Sequence, residues 1–328
     1  METGYTIADR YVCKKLLGKG GSGSVYMVYD MKLDKNWAVK LCHGGRPEEA
    51  AALKRIDCSA FPRIVDVIHQ DDTDFLIMDY VDGITLSARC RLYAASEGEV
   101  LTWMLRTAEA LKTLHEQTPP LLYMDCKPDN IMLTNSGDIR LVDLGSVYAY
   151  DSDRKGSVSS TRFFAPGEVV KPASGVRIGI HSDVYCFGMT MYRLLTGSSI
   201  EYRDSLGRLC PEHKNKHISK ASQRIIKRCT AINPDSRYQS MQDIIRDLEY
   251  AINSVERKAA FSIPVTLNRL LDKLLKYALA TVIIVCGIRL DTPIGLPVTS
   301  ILFVLLFMLC MRPEYYSRET IKSVMRAH

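Results

Sequence analysis

The 328-residue sequence has no C-x-x-C pair, no histidines grouped at zinc-ligand spacing, no run of basic residues and no apolar core within residues 1–10. Each absence removes a class. The ten cysteines stand singly from Cys13 to Cys310, which reads as reduced thiols of a cytosolic compartment, not a disulfide framework or metal centre. A formal net charge of +6, with no aromatic-interleaved basic patch, argues against nucleic acid. Residues 1–10 carry acids early, so no secretory signal is expected. At 47% hydrophobic, the chain suffices for one large or two ordinary domains with a real core.

What is present concentrates in one stretch. Tyr123-Met124-Asp125-Cys126-Lys127-Pro128-Asp129-Asn130 packs acid, amide and amine groups into a short polar turn. Apolar residues that read as strand ends (Leu121, Leu122, Ile131, Leu133) flank it, and Val142-Asp143-Leu144-Gly145 follows a further such strand. Rigid strand ends around Asp, Lys and Asn suit a site that holds a hard cation through oxygen and takes a proton from a hydroxyl.

Upstream, Gly18-Lys19-Gly20-Gly21-Ser22-Gly23 lies between strand-like residues. Glycines let backbone N–H groups approach phosphate oxygens closely. Val25, Tyr26 and Val28 continue as a strand, which counts against a dinucleotide-binding turn, where a helix would start. A merely flexible loop stays open. Lys40 interrupts the apolar strand 37–41 and is either a solvated edge lysine or one aimed at phosphate. Residues 47–56 read as a helix by propensity and dipole, with Glu49 on the face of Leu53 and Glu48 as the alternative carboxylate. Further helices are expected over 98–117, from His181 with a serine cap to the Gly197 stop, over 220–230 and over 240–253. His115 reads as a capping or surface residue.

Taken in order, these motifs resemble the Ser/Thr protein kinases, in particular the bacterial eukaryote-like ones, over residues 11–253. The resemblance implies an α+β bilobal protein kinase fold, with a small β-rich N-lobe and a larger helical C-lobe. It also implies ATP and Mg²⁺ (Mn²⁺ as an alternative) as cofactors and proteins as substrates. Asp125 would accept the substrate proton and Lys127 would steady the γ-phosphate. Asn130 and Asp143 would hold the metal. Lys40, paired with Glu49, would hold the α- and β-phosphates, covered by Gly18, Lys19, Gly20, Gly21, Ser22 and Gly23. Val25, Ala38 and Met132 would sandwich the adenine, Met78 would gate its pocket, and the backbone of Asp79 and Val81 would bind its edge. Asp183 would tether the catalytic loop, Glu168 would pair with Arg237, and Thr161 would touch the loop beside substrate. Ser157, Ser159, Ser160 and Thr161 are the candidate phosphate acceptors.

The sequence departs from the family at three points. Tyr123-Met124 replaces His-Arg before the catalytic aspartate, Leu144 replaces the phenylalanine after the metal aspartate, and Ala165-Pro166-Gly167-Glu168 replaces Ala-Pro-Glu. Met124 cannot bind a loop phosphate as arginine does, so activity independent of that contact is expected.

After residue 253 the composition changes. Residues 294–311 form a charge-free apolar run. At roughly −0.3 to −0.6 kcal/mol per Leu, Ile, Phe or Val, insertion is favoured by several kcal/mol. Residues 277–288 form a shorter apolar segment. Arg269, Lys273 and Lys276 precede the pair, and Arg312, Arg318, Lys322 and Arg326 follow it. The expectation is a juxtamembrane segment over 254–276, a transmembrane hairpin over 277–311 (alternatively one span over 294–311, or no insertion) and a basic tail over 312–328. The kinase domain and both ends would then be cytoplasmic, with membrane lipid as a partner. The leading functional reading is a membrane-anchored, autophosphorylating Ser/Thr protein kinase. The alternative is a pseudokinase scaffold; a small-molecule kinase is disfavoured by the segment around Thr161 and Glu168.

Overall fold

In the computed structural model, the residues described are 1–20, 23–43, 56–70, 73–150, 161–170, 177–199 and 201–261. The chain divides into two units, Met1–Arg257 and Lys258–His328.

The first part of unit one is an antiparallel sheet of β1 (Thr6–Ile7), β2 (Tyr11–Gly20), β3 (Gly23–Asp30), β4 (Lys35–His43), β5 (Ile64–Gln70) and β6 (Thr73–Asp79), ordered β1-β2-β3-β4-β6-β5. Strand alternation gives this sheet two working faces. Trp37 and Val39 of β4, with Phe75 and Ile77 of β6, join Ile7, Tyr11 and Val28 in one apolar cluster. Ala38, Leu76 and Met78, from the intervening positions, join the core shared with the helices. Lys40 shares the face of Ala38 and pairs across to Val25 on one side and Leu76 on the other. At 2% exposure it is an interior lysine, which removes the edge-lysine alternative.

A three-stranded sheet of β7 (Gly83–Thr85), β9 (Ile131–Thr134) and β10 (Ile139–Leu141), and a two-stranded ribbon of β8 (Leu121–Leu122) with β11 (Tyr148–Ala149), frame the polar turn. The remainder is helical: α1 (Leu86–Leu92), α2 (Glu97–His115), the short α3 (Gly167–Val170), α4 (Ile180–Thr196), α5 (Lys220–Cys229) and α6 (Met241–Phe261).

Helix α2 starts at a capping box in which Ser96 and Glu99 satisfy each other's backbone N–H groups. Its positions 100, 101, 104, 108, 111 and 114 are fully buried, the spacing of one helical stripe. Helix α4 runs through the core and stops at Gly197, whose φ of 64° suits glycine. It begins at Ile180, so Ser182 is not the N-cap residue. Gly188 lets α5 approach closely, because a Cβ there would lie 2.4 Å from that of Cys229. Helix α6 extends well past the expected stop at 253. Among the described residues no helix is long and apolar enough to cross a membrane. The expected spans over 277–311 and the basic tail lie outside the described residues.

Candidate active site

The polar turn is held from below by α4. The buried Asp183 carboxylate accepts the N–H groups of Tyr123 and Met124 at 2.8 and 2.6 Å, and lies 2.9 Å from Nε2 of His115. His115 is therefore a buried partner of Asp183, contrary to the surface reading; its partner lies 68 residues away in sequence. Thr190, two turns further along α4, donates to the Cys126 carbonyl at 2.7 Å. The Tyr123 hydroxyl donates to the Val142 carbonyl at 2.6 Å, and Val142 N–H donates to the Asn130 carbonyl at 2.9 Å. These two bonds bring the Asp143 turn alongside Asn130.

Met124 adopts φ 62°, a left-handed conformation that costs roughly 1–2 kcal/mol for a residue with a Cβ. The charge-assisted bonds to Asp183 offset that cost. The Met124 side chain, fully buried, packs with Leu122, Ala165 and Val169. The turn is thereby joined to the segment after Thr161 by apolar contact at the position where the family's arginine would stand.

Four donors converge on Asp125, which is 6% exposed. Its Oδ1 accepts the Thr161 hydroxyl at 2.9 Å and the Thr161 N–H at 3.3 Å. Its Oδ2 accepts Lys127 Nζ at 2.6 Å and Asn130 Nδ2 at 2.8 Å. Lys127 also reaches the Thr161 hydroxyl at 2.7 Å. Burial pushes the neighbouring Cys126 thiol well up, so it is no nucleophile at neutral pH.

Asp143 has φ 60° and ψ 72° and caps a 3₁₀ turn over Leu144–Ser146. This twist aims its carboxylate back at β4, where Oδ1 accepts Lys40 Nζ at 2.9 Å and the Gly145 N–H at 3.3 Å. Leu144, 2% exposed, anchors the turn in the core. Asn130 Nδ2 also donates to the Asp125 carbonyl, at 3.0 Å. With its amide nitrogen so engaged, Oδ1 is the group left to face a cation. One amide oxygen and one carboxylate fit Mg²⁺, which takes few protein oxygens and completes its shell with water and substrate phosphates.

Strands β2 and β3 meet at Gly20 and Gly23, across the glycine turn. Gly18 and Gly20 have open space where a Cβ would stand, whereas one on Gly23 would lie 2.5 Å from the Leu41 carbonyl. With φ 129°, Gly23 is required by the fold itself, a constraint the motif does not reveal. Ala38 pairs across to Met78, and Val25 packs against the same core. Met132 pairs with Thr85, beside the segment 79–82. Asp79 N–H donates to the Arg63 carbonyl at 3.0 Å, and its carboxylate accepts Arg63 Nε at 3.0 Å. Glu49 (with Glu48), Gly21, Ser22, Ser157, Ser159 and Ser160 lie outside the described residues.

Below the turn, Arg237 holds Glu168 with two bonds, 2.6 and 3.1 Å, both side chains being nearly sealed from solvent. Ser182 donates to the same carboxylate at 3.0 Å. The displaced proline leaves this pair intact.

A lysine buried against one aspartate, a second aspartate surrounded by donors and an amide between them are the parts of a phosphoryl-transfer site. Residues 11–250 match the protein kinase domain family, and the chain belongs to it. It is 26% identical over 276 residues to a probable serine/threonine-protein kinase of Clostridium acetobutylicum, covering 76% of this chain and 41% of that protein. It is 25% identical over 283 residues to serine/threonine-protein kinase PrkC of Bacillus subtilis, covering 77% and 42%. With serine/threonine-protein kinase PknB of Mycolicibacterium smegmatis the identity is 26% over 280 residues, covering 76% and 44%. The chain thus spans about two fifths of the length of these relatives.

Proposed function

We propose that the protein transfers the γ-phosphoryl group of ATP to serine and threonine hydroxyls of proteins, its own included. The observation that carries this reading is the convergence of Lys40, Asp125, Lys127, Asn130 and Asp143, drawn from separate strands and turns. Lys40 holds the α- and β-phosphates under the glycine turn. Val25, Ala38, Met78 and Met132 enclose the adenine, and the Asp79 carbonyl and Val81 N–H take its edge. Glu49 partners Lys40. Asp125 accepts the proton of the attacking hydroxyl as the new O–P bond forms and ADP leaves, while Lys127 balances the charge on the moving phosphoryl group. Asn130 and Asp143 would hold Mg²⁺ or Mn²⁺, which would supply neutralisation of phosphate charge. Positioning and electrostatics do the work, since the chemistry itself is the nucleotide's.

Asp183, Glu168 and Arg237 serve as scaffold. Thr161 ties the loop to Asp125; a phosphate there would set a dianion against that carboxylate, so we assign acceptor roles to Ser157, Ser159 and Ser160. We place the kinase domain at 11–253. The apolar, charge-flanked stretch 277–311 supports a membrane hairpin that leaves this domain in the cytoplasm. Retention of the full chain in carbonate-washed membranes tests the anchor, and release contradicts it. The catalytic reading is tested by mapping phosphates by mass after incubation with Mg²⁺, ATP and a mixed protein substrate. Phosphoserine and phosphothreonine absent with Asp125→Asn are expected. Equal labelling by both proteins would refute it.

A further inference from the structure

Two clefts differ in charge, and one of them is lined by residues of the catalytic turn. One, of about 480 Å³ behind the segment 79–82, is lined by Asp57, Asp79 and Asp82 against Arg63 and Arg140. The other, of about 630 Å³, is bounded by α1, the turn residues Pro128 and Asp129, the aromatic pair that follows Thr161, and the end of α4. Its charged lining is Arg91, Arg193 and Lys214 against Asp129, three cations to one carboxylate.

Position makes the second cleft relevant to substrate. Pro128 and Asp129 lie directly after Lys127, and Phe163 comes two residues after Thr161, whose hydroxyl sits on Asp125. A chain that presents a hydroxyl to Asp125 can therefore lay its flanking residues along this cleft. The Ser87 N–H donates to the Pro128 carbonyl at 3.1 Å, which fixes α1 against the turn. Arg193 Nη1 donates to the Gly197 carbonyl at 2.5 Å, which fixes that guanidinium at the rim. Among the described residues, none of the three cations has a carboxylate at ion-pair distance, so their charge is available to a ligand.

We propose that this cleft docks the acceptor protein and selects acidic residues within a few positions of the phosphorylated serine or threonine. The selection rests on the kinase reading above and adds the class of substrate to it. Phe163 and Leu195 supply an apolar floor, and the cationic rim supplies the charge preference. A lysine- or arginine-flanked acceptor meets one carboxylate and three repelling cations. Because the rim charges are solvated, the preference weakens as salt rises.

The experiment measures binding and transfer separately in the full chain. Three fluorescent peptides share one serine acceptor and carry flanking Asp/Glu, Ala or Lys/Arg. Anisotropy is expected to show the acidic peptide binding about tenfold more tightly than the basic one at low salt, the sum of several modest solvated pairs. The variant Arg91→Glu/Lys214→Glu, at two exposed positions, should keep its melting temperature and reverse the order. Equal binding of acidic and basic peptides, or an order unchanged in the variant, overturns the proposal. Charge-selective binding with no transfer to any peptide would uphold the cleft and count against the kinase reading instead.

Discussion

Lys40 Nζ lies 2.9 Å from Asp143 Oδ1, although 103 residues separate them. The contact joins the sheet to the turn at the point where nucleotide phosphates and metal would meet. Lys40→Met should lower the transfer rate by about 10²-fold or more, since it removes a fixed charge aimed at phosphate. Its melting temperature should change little, because the Asp143 side chain, 30% exposed, keeps access to water. Steady-state rates and a thermal melt on one preparation check both halves.

Thr161 links the loop to Asp125 through its hydroxyl. Thr161→Val should reduce kcat about tenfold with KM for ATP unchanged, and Thr161→Ser should restore most of the loss. An equal fall with serine would show that the methyl group, not the hydroxyl, matters. Two neutral-to-charged hydrogen bonds of about 1 kcal/mol or more set this scale.

The Arg237–Glu168 pair is buried and bidentate. Glu168→Ala leaves a buried guanidinium without its carboxylate, which costs about 3–5 kcal/mol. The loss should appear as a lower urea midpoint. Arg237→Lys should recover only part of it, since an ammonium cannot form the planar fork.

Met124 takes the place of a phosphate-binding arginine and is fully buried among Leu122, Ala165 and Val169. Phosphatase-treated and untreated protein should therefore transfer phosphate at the same rate. Met124→Ala should destabilise by about 2–5 kcal/mol, as truncations in packed cores do. A large activation by phosphorylation within 151–160 would contradict the first statement.

Asp30 reports on the sheet. Arg10, at 2.9 and 2.7 Å, holds its carboxyl down to about 2 from 3.8, with backbone N–H groups of Lys32 and Leu33 and the Trp37 indole helping, while burial opposes. The folded state binds this proton less readily than the unfolded chain. Its contribution, about 2 kcal/mol, is thus fully present above the ordinary carboxylate range and is lost as pH falls through about 2. The stability gap between wild type and Asp30→Asn should narrow steadily below pH 4.

What was legible in the sequence was chemistry carried by local spacing. Asp125, Lys127 and Asn130 lie within one turn, and the alternation in β4 and β6 puts Lys40 on the face of Ala38 and Met78. What stayed hidden depends on contacts between distant segments. His115 looked like a helix-end residue because Asp183 is brought to it only by the packing of α2 and α4. Ser182 looked like the N-cap residue, but from the third position of the helix its hydroxyl accepts the Gly179 N–H and donates to Glu168, which belongs to another segment. Gly23 looked like part of a phosphate loop, and its approach to the Leu41 carbonyl becomes visible only once β3 pairs with β4.

The central claim is that these side chains form one nucleotide-dependent transfer site. Its most direct measurement is the initial rate of labelled γ-phosphate transfer to protein serine and threonine by the full chain, beside Asp143→Ala. Robust incorporation by wild type is predicted, with at least a hundredfold drop in the variant at a temperature where circular dichroism shows both proteins folded, since loss of the carboxylate beside the buried Lys40 lowers the melting temperature as well. Equal incorporation by the two proteins would contradict it.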